Sequence, residues 1–325
     1  MIAVEGLVKA FGPRRAVDDI SFSVDKGTVL GFLGPNGAGK TTTIRMIAGY
    51  LAPTAGRIQV EGIEVTQNPV RAQRLMGYMP ENTPLYDEMT VTGFLRFVAE
   101  VRGFWGRERG RRVDEVMEMC MLTGVRHQPI ETLSKGYRRR VCLAQSLIHD
   151  PPVLLLDEPT EGLDPNQKQV LREMIGQMAP HKIIMLSTHI LEEVEAICSR
   201  AMIISEGRLK ADGSPAELKQ RSASRNLLTL EVLAPAAAAR EAFAAIPDVA
   251  AVTVVEKAGE RTVLRLEPRD KQPLAVGAME LAASRNWMVV GMQVDPGRLD
   301  EVFREITTTD DVQRPKAGEA VKGEV

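Results

Sequence analysis

One stretch constrains this chain more than any other: Gly34-Pro35-Asn36-Gly37-Ala38-Gly39-Lys40-Thr41-Thr42. It fits a phosphate-binding template in which a glycine, four free positions, Gly-Lys and a hydroxyl residue follow one another. Just before it, Thr28-Val29-Leu30-Gly31-Phe32-Leu33 reads as a buried strand. Just after it, Thr42-Thr43-Ile44-Arg45-Met46-Ile47-Ala48 reads as a helix. That strand–loop–helix order is the context the template requires. The glycines let the backbone curl so that several N–H groups point inward at one phosphate. The helix N-terminus adds the positive end of its dipole. By the template, Lys40 reaches the β- and γ-phosphates and the Thr41 hydroxyl ligates magnesium. A plain Gly-rich turn before a helix is the alternative, and the flanking elements argue against it.

Composition sets the outer limits. At 325 residues the chain has room for two domains, or one large domain with an appendage. It is 44% hydrophobic and 26% charged, which suits a globular protein. A net charge of −2 gives no reason to expect nucleic-acid binding. Cys120, Cys142 and Cys198 are too scattered for a zinc site or a disulfide framework, and suit a reducing cytosol as small core residues. No apolar run approaches the ~18 residues that span a bilayer. The N-terminus has neither a basic n-region nor an apolar h-region, so no signal peptide is expected. Any membrane part would then come from another chain.

Along the chain, residues 2–8 and 17–24 read as strands, with Gly12-Pro13 as the turn between them. Phe11, at that turn, is either a core aromatic or a flat surface for a nucleotide base. Residues 57–60 and 76–79 read as strands, and 69–75 as a short helix with proline near its start. Residues 90–98 and 113–120 carry apolar residues at helical spacing, a helical insert in an α/β framework. Between them lie Arg102, Arg107, Arg109, Arg111 and Arg112, read as a solvated basic loop, with anionic lipid or a partner as the alternative. Leu133-Ser134-Lys135-Gly136-Tyr137 precedes a helix that runs to about His149. Ser134 is either an ordinary N-cap or part of a second phosphate-binding helix terminus.

Pro152-Val153-Leu154-Leu155-Leu156-Asp157-Glu158-Pro159 is more decisive. Its apolar run suits a fully buried parallel strand. Asp157 and Glu158 then fall at the C-terminal end, where ligands bind in open α/β sheets. Burying two adjacent charges without a use is costly, and magnesium and a reacting water are natural partners for them. Solvated turn carboxylates are the alternative. Residues 183–187 read as another buried strand ending at Thr188-His189, and His189 is either structural or a hydrogen-bond partner for a γ-phosphate. Residues 202–209 read as a closing hairpin.

Together these residues resemble an ATP-binding cassette (ABC) ATPase, the ATP-binding subunit of an ABC transporter, over roughly residues 1–222. Residues 34–42 resemble the Walker A loop, 133–137 the family signature, and 153–158 Walker B with its following glutamate. Gly162-Leu163-Asp164 resembles the D-loop, and His189 the switch histidine. Several motifs in one order make the resemblance specific. The signature is commonly Leu-Ser-Gly-Gly-Gln, and here Lys135 and Tyr137 replace a glycine and the glutamine while Ser134 and Gly136 remain. Glu81, in Pro80-Glu81-Asn82, stands where the Q-loop usually offers glutamine. With Pro84-Leu85-Tyr86 following, both departures are similar to exporter ATPases of the gliding-motility type.

The resemblance implies an α/β fold of the P-loop NTPase class, a mixed sheet core with a helical subdomain at about residues 84–149. It implies ATP and Mg2+ as ligands. Two copies would pair head-to-tail around two ATP molecules, with Ser134, Gly136 and Asp164 of one copy completing the other's site. Phe11 would stack on adenine, and Gly34, Pro35, Asn36, Gly37, Ala38, Gly39, Lys40, Thr41 and Thr42 would cradle the phosphates. Thr41, Glu81 and Asp157 would serve the metal, Glu158 would be the general base, and His189 would sense the γ-phosphate. The partners would be a separate transmembrane permease and a second copy, with no nucleic acid. The location would be cytoplasmic, peripheral on the inner face of the membrane through the permease. A soluble ABC ATPase acting on ribosomes or DNA is the runner-up. Such relatives usually carry two cassettes or long coiled-coil insertions, and this chain has one cassette and no heptad run.

Beyond residues 222–225 the order strand, helix, two strands, helix, strand and helix suggests a small ferredoxin-like α+β domain at 226–306. Exporter ATPases of this type often carry such an appendage, and a regulatory or dimer-bracing role is expected for it from architecture alone. Residues 307–325 are charged and poor in apolar residues, and are expected to be a disordered tail.

Overall fold

Unbroken apolar runs become buried strands here, and runs with helical spacing become helices laid against them. The computed structural model describes residues 1–311. The chain opens with β1 (Ile2–Phe11) and β2 (Arg14–Val24), then β3 (Val29–Leu33) and α1 (Lys40–Ile47). Next come β4 (Ala55–Val60), β5 (Ile63–Glu64), α2 (Pro69–Gln73) and β6 (Met76–Met79). Three helices follow, α3 (Val91–Val101), α4 (Gly106–Met119) and α5 (Lys135–Leu147). Then the strand–helix alternation resumes with β7 (Val153–Asp157), α6 (Pro165–Met178), β8 (Ile183–Thr188) and α7 (Leu191–Ile197). The hairpin of β9 (Arg200–Ser205) and β10 (Arg208–Gly213) comes next. The described residues divide into two units: residues 1–215 with 306–311, and residues 216–305.

In the first unit a six-stranded sheet has the order β10-β9-β3-β8-β7-β6, parallel except for β10. Every residue of β3, β7 and β8 is buried, as expected for parallel strands covered on both faces. In register, Leu33 pairs with Thr188 and Asp157 with Ser187. The three strands therefore end level, and their C-terminal ends form one ledge. An antiparallel sheet of order β2-β1-β4-β5 is the second layer. One core joins them: Leu7, Ile20 and Ile58 from the antiparallel sheet, Phe32, Leu155 and Met185 from the parallel one, and Ile44 and Ile47 from α1. Each such fully buried side chain contributes roughly 1.5–3 kcal/mol.

Helices α3, α4 and α5 pack on one another. Here the basic-loop reading is corrected. Helix α4 starts at Gly106, so Arg107, Arg109, Arg111 and Arg112 lie on a helix. Arg111 pairs with Glu108 and Glu115, Arg112 with Glu108, and Arg109 with Glu100. Ion pairs at i,i+3 and i,i+4 spacing support the helix across Gly110, so the basic run is one face of a helix.

The second unit holds α8 (Pro215–Lys219, beginning at its boundary), β11 (Leu228–Leu233), α9 (Ala236–Ala244), β12 (Val249–Ala258), β13 (Arg261–Pro268), α10 (Ala275–Ser284) and β14 (Met288–Val294). Its antiparallel sheet has the order β12-β13-β11-β14, the ferredoxin-like pattern. Leu228, Leu230, Leu264, Leu266 and Phe243 form its core. The last helix, α11 (Leu299–Asp311), runs past the expected start of a disordered tail at Thr307. The remainder of that expected tail lies outside the described residues.

His149, just past α5, has its Nε2 3.1 Å from the Met76 carbonyl oxygen. Burial, with Arg102 adding to it, pushes its imidazole down to about 4. Because the folded value lies below the ordinary 6.5, the unfolded chain binds a proton that the folded chain refuses in the window between them. This contribution to stability is present above the ordinary value and is lost as pH falls through that window. The urea midpoint of the wild type should drop between about pH 7 and about pH 5, and drop less in His149→Gln. Equal drops in both proteins would show that His149 is not the titrating group.

Candidate functional site

The loop between β3 and α1 is shaped by its glycines. A Cβ on Gly34 would sit 2.4 Å from the Ile204 carbonyl oxygen. Gly39 has φ +109, and a Cβ there would lie 2.5 Å from the Ala16 carbonyl oxygen. No other residue fits these two positions without moving backbone. Ala38 is buried between them, its N–H donating to the Pro35 carbonyl at 3.2 Å and its carbonyl accepting from Gly207 N–H at 3.0 Å. Lys40 is 6% exposed, and its ammonium donates to the carbonyls of Gly34 (2.7 Å) and Pro35 (3.2 Å). The lysine thus arches back along its own loop.

The ledge at the strand ends carries the acids. Asp157 is fully buried; its Oδ1 accepts from the hydroxyls of Ser187 (2.6 Å) and Thr41 (3.1 Å). Its Oδ2 is buried with no hydrogen-bond partner among the described residues. A buried carboxylate oxygen is normally satisfied, so this atom is poised for a ligand. Glu158 follows with φ +49, its N–H donating to Ser187 Oγ at 3.0 Å. Its Oε2 lies 3.0 Å from His189 Nδ1, and its Oε1 3.6 Å from Lys40 Nζ. Burial pushes the Glu158 carboxyl above the usual carboxylate range, against the pull of His189 and Lys40. Burial likewise pushes the Lys40 ammonium down, against the pull of Glu158.

Lys40, Glu158 and His189 open onto a cleft of about 630 Å³; Asp157 is buried and does not line it, and neither do Gly34, Pro35 and Ala38 of the loop. Of the residues singled out in the sequence, Asn36, Gly37, Gly39, Lys40, Thr41, Thr42, Glu158 and His189 line it, with Glu81 at the wall and Phe11 at the rim. Phe11 is 52% exposed, so it is not a core aromatic, and Lys9 Nζ lies 5.2 Å from its ring centre. Arg14, Ala16 and Glu161 also line the cleft and were not singled out. Arg14 follows Phe11 across the same turn, and a cation there was the only signal available. Ser134, Gly136 and Asp164 do not line the cleft. Ser134 caps α5, accepting from Tyr137 N–H at 3.4 Å, and Asp164 caps α6, accepting from Gln167 N–H at 2.9 Å. Gly136 lies against Gln167, whose side chain would be 2.4 Å from a Cβ at that position.

The family model for ABC transporters matches residues 17–161. The linearmycin resistance ATP-binding protein LnrL of Bacillus subtilis (strain 168) is 32% identical over 308 residues, covering 94% of this chain and 98% of its own. The chain belongs to the ABC transporter ATP-binding proteins. The Nod factor export ATP-binding protein I of Ralstonia nicotianae is 40% identical over 219 residues, 67% of this chain and 68% of its own. A solved ATP-binding subunit of an ABC transporter superposes with TM-score 0.63 at 31% identity, over 68% of this chain and 92% of that one. A dimeric bacterial ABC transporter cassette superposes with TM-score 0.62 at 20% identity, over 66% and 99%, a likeness of fold. This ABC ATPase therefore binds ATP and is an ATP-hydrolysing enzyme.

Gly39→Ala should weaken binding of a fluorescent ATP analogue by roughly 10- to 100-fold, because the strain at a left-handed position falls on the loop itself. Its thermal midpoint should fall as well, because the added Cβ would press on the Ala16 carbonyl of β2. Unchanged analogue affinity would show that the loop tolerates a Cβ and does not depend on this geometry.

Proposed function

We propose that this ABC ATPase is the motor of an exporter and drives a separate membrane permease. The observation that carries the hydrolytic step of this reading is the placement of Glu158, one residue past the buried Asp157, with its carboxylate facing both Lys40 and His189. The residues fit a divalent cation: the unpartnered Asp157 Oδ2 lies on the carboxylate that already holds the Thr41 hydroxyl. Thr41 and Asp157 would hold Mg2+, with Glu81 at the cleft wall. Bound there, the ion would neutralise phosphate charge.

ATP is the substrate. The phosphate loop and α1 hold its phosphates by backbone N–H groups and by Lys40, and Phe11 stacks on its base. Glu158 takes a proton from the attacking water as the water oxygen bonds to the γ-phosphorus and the bond to the β–γ bridging oxygen breaks. A base kept partly desolvated has its pKa lifted toward the working pH, which favours proton transfer. His189 orients the Glu158 carboxylate and meets the γ-phosphate. Positioning and charge neutralisation supply most of the catalysis in phosphoryl transfer.

Ser134, Gly136 and Asp164 lie off the cleft, which supports a site completed by a second copy placed head-to-tail. Closure on ATP and opening after hydrolysis form a ligand-driven population shift that works the permease. Relatives named for Nod factor export and linearmycin resistance support the export direction. Among the described residues no helix is long and apolar enough to cross a membrane. As the ATP-binding subunit of a transporter, the chain would sit on the cytoplasmic face, held there by its permease. In this reading the second unit is an accessory domain outside the catalytic machinery.

Glu158→Gln should cut phosphate release by roughly 100- to 10,000-fold while leaving ATP affinity intact, and should accumulate an ATP-bound dimer on size exclusion. Turnover near the wild-type rate would remove Glu158 as the base.

A further inference from the structure

Helix α5 begins at the signature stretch, and its fifth residue, Arg139, turns into the protein. Arg139 is 4% exposed. Its Nη1 donates to the Glu158 carbonyl oxygen at 2.8 Å, and its Nη2 lies 3.5 Å from Glu161 Oε2. Buried guanidinium groups are usually spent on carboxylates or phosphates. Here the shorter bond goes to a backbone carbonyl, and that carbonyl belongs to the left-handed residue of the site.

Glu158 is thereby pinned on both sides. Ser187 of β8 accepts from its N–H, and Arg139 of α5 donates to its carbonyl. With φ at +49, the backbone of a glutamate keeps this shape only if the surroundings over-determine it. The same helix is seated closely on the segment that follows Glu158. A Cβ on Gly162 would meet the Lys135 side chain at 2.2 Å, and one on Gly136 the Gln167 side chain at 2.4 Å. Two glycines, one on each partner, admit the other's long side chain.

We infer that Arg139 is a positioning residue for the base: from the signature helix it fixes the turn at Glu158, and so sets where the Glu158 carboxylate points relative to Lys40 and His189. The inference rests on the proposed reading of Glu158 as base. It makes α5 a single lever with Ser134 at one end and the catalytic turn against its middle. Release of the carbonyl lets the turn relax and swings the carboxylate off line, and a displacement of about 1 Å costs up to about 100-fold in rate.

The test is steady-state ATPase kinetics of Arg139→Met and Arg139→Lys, with fluorescent ATP-analogue binding and thermal melting of each. Arg139→Met should lose about 10- to 100-fold in kcat while KM and analogue affinity stay within about threefold. Arg139→Lys, which keeps a donor and the charge, should recover part of the loss. The inference is overturned if kcat of Arg139→Met stays within about twofold of wild type, if affinity falls as much as kcat, or if Arg139→Lys is no better than Arg139→Met. If Arg139→Met does not fold, Arg139→Lys and Arg139→Gln carry the same comparison, and each should show a loss in kcat alone. Glu158→Gln is assayed alongside. If it turns over normally, the reading of Glu158 as base fails, whereas an inactive Glu158→Gln beside a fully active Arg139→Met removes only the role of Arg139.

Discussion

The first unit depends on one buried carboxylate. Asp157 sits at the end of a strand with no exposed residue, and its Oδ1 draws together a hydroxyl from α1 and one from β8. Three segments distant in sequence meet there: the phosphate loop, the strand that ends in the acids, and the neighbour that leads to His189. Taking a carboxylate out of water is expensive, and two hydroxyl donors only partly offset it. The remaining cost is concentrated at Oδ2, the atom left without a partner. In the proposed reading, a cation brought in with the triphosphate would meet this atom.

The rest of the site follows from the same ledge. Because β3, β7 and β8 end level, side chains from the loop, the acids and the histidine come within reach of one another. Lys40 and Glu158 are both disfavoured as charges by burial, in opposite directions, and each is supported by the other. That balance keeps a carboxyl of raised pKa, the base of the proposed reading, beside a lysine folded onto its own loop. In the proposed reading, an anionic substrate entering the cleft would meet this lysine, the phosphate loop and the rim aromatic together.

Much of this was legible in the sequence, for local reasons. The loop, the acid pair and the histidine each close a strand, so residue type and position coincide within a few residues. The ferredoxin-like order of the second unit could be read because its strands and helices alternate cleanly. The misses have physical causes. The basic run reads as a loop from its charge alone, whereas in helix α4 the arginines pair with Glu108 and Glu115 at helical spacing. Helix α11 continues through threonines of middling helix propensity that composition reads as tail. Arg14 and Glu161 reach the cleft through tertiary contacts that no short motif records. Arg139 is hidden for a further reason: its partner is a backbone carbonyl, which leaves no trace in residue types.

The central claim is that the cleft of one chain is half of a site, completed by the signature end of α5 from another copy. Mixing two inactive variants tests it most directly. Lys40→Ala spoils the phosphate loop and keeps the signature, and Ser134→Arg does the reverse. Head-to-tail pairing gives each mixed dimer one intact composite site, so the mixture should hydrolyse ATP well above the sum of its two components. A mixture no more active than that sum would contradict the account.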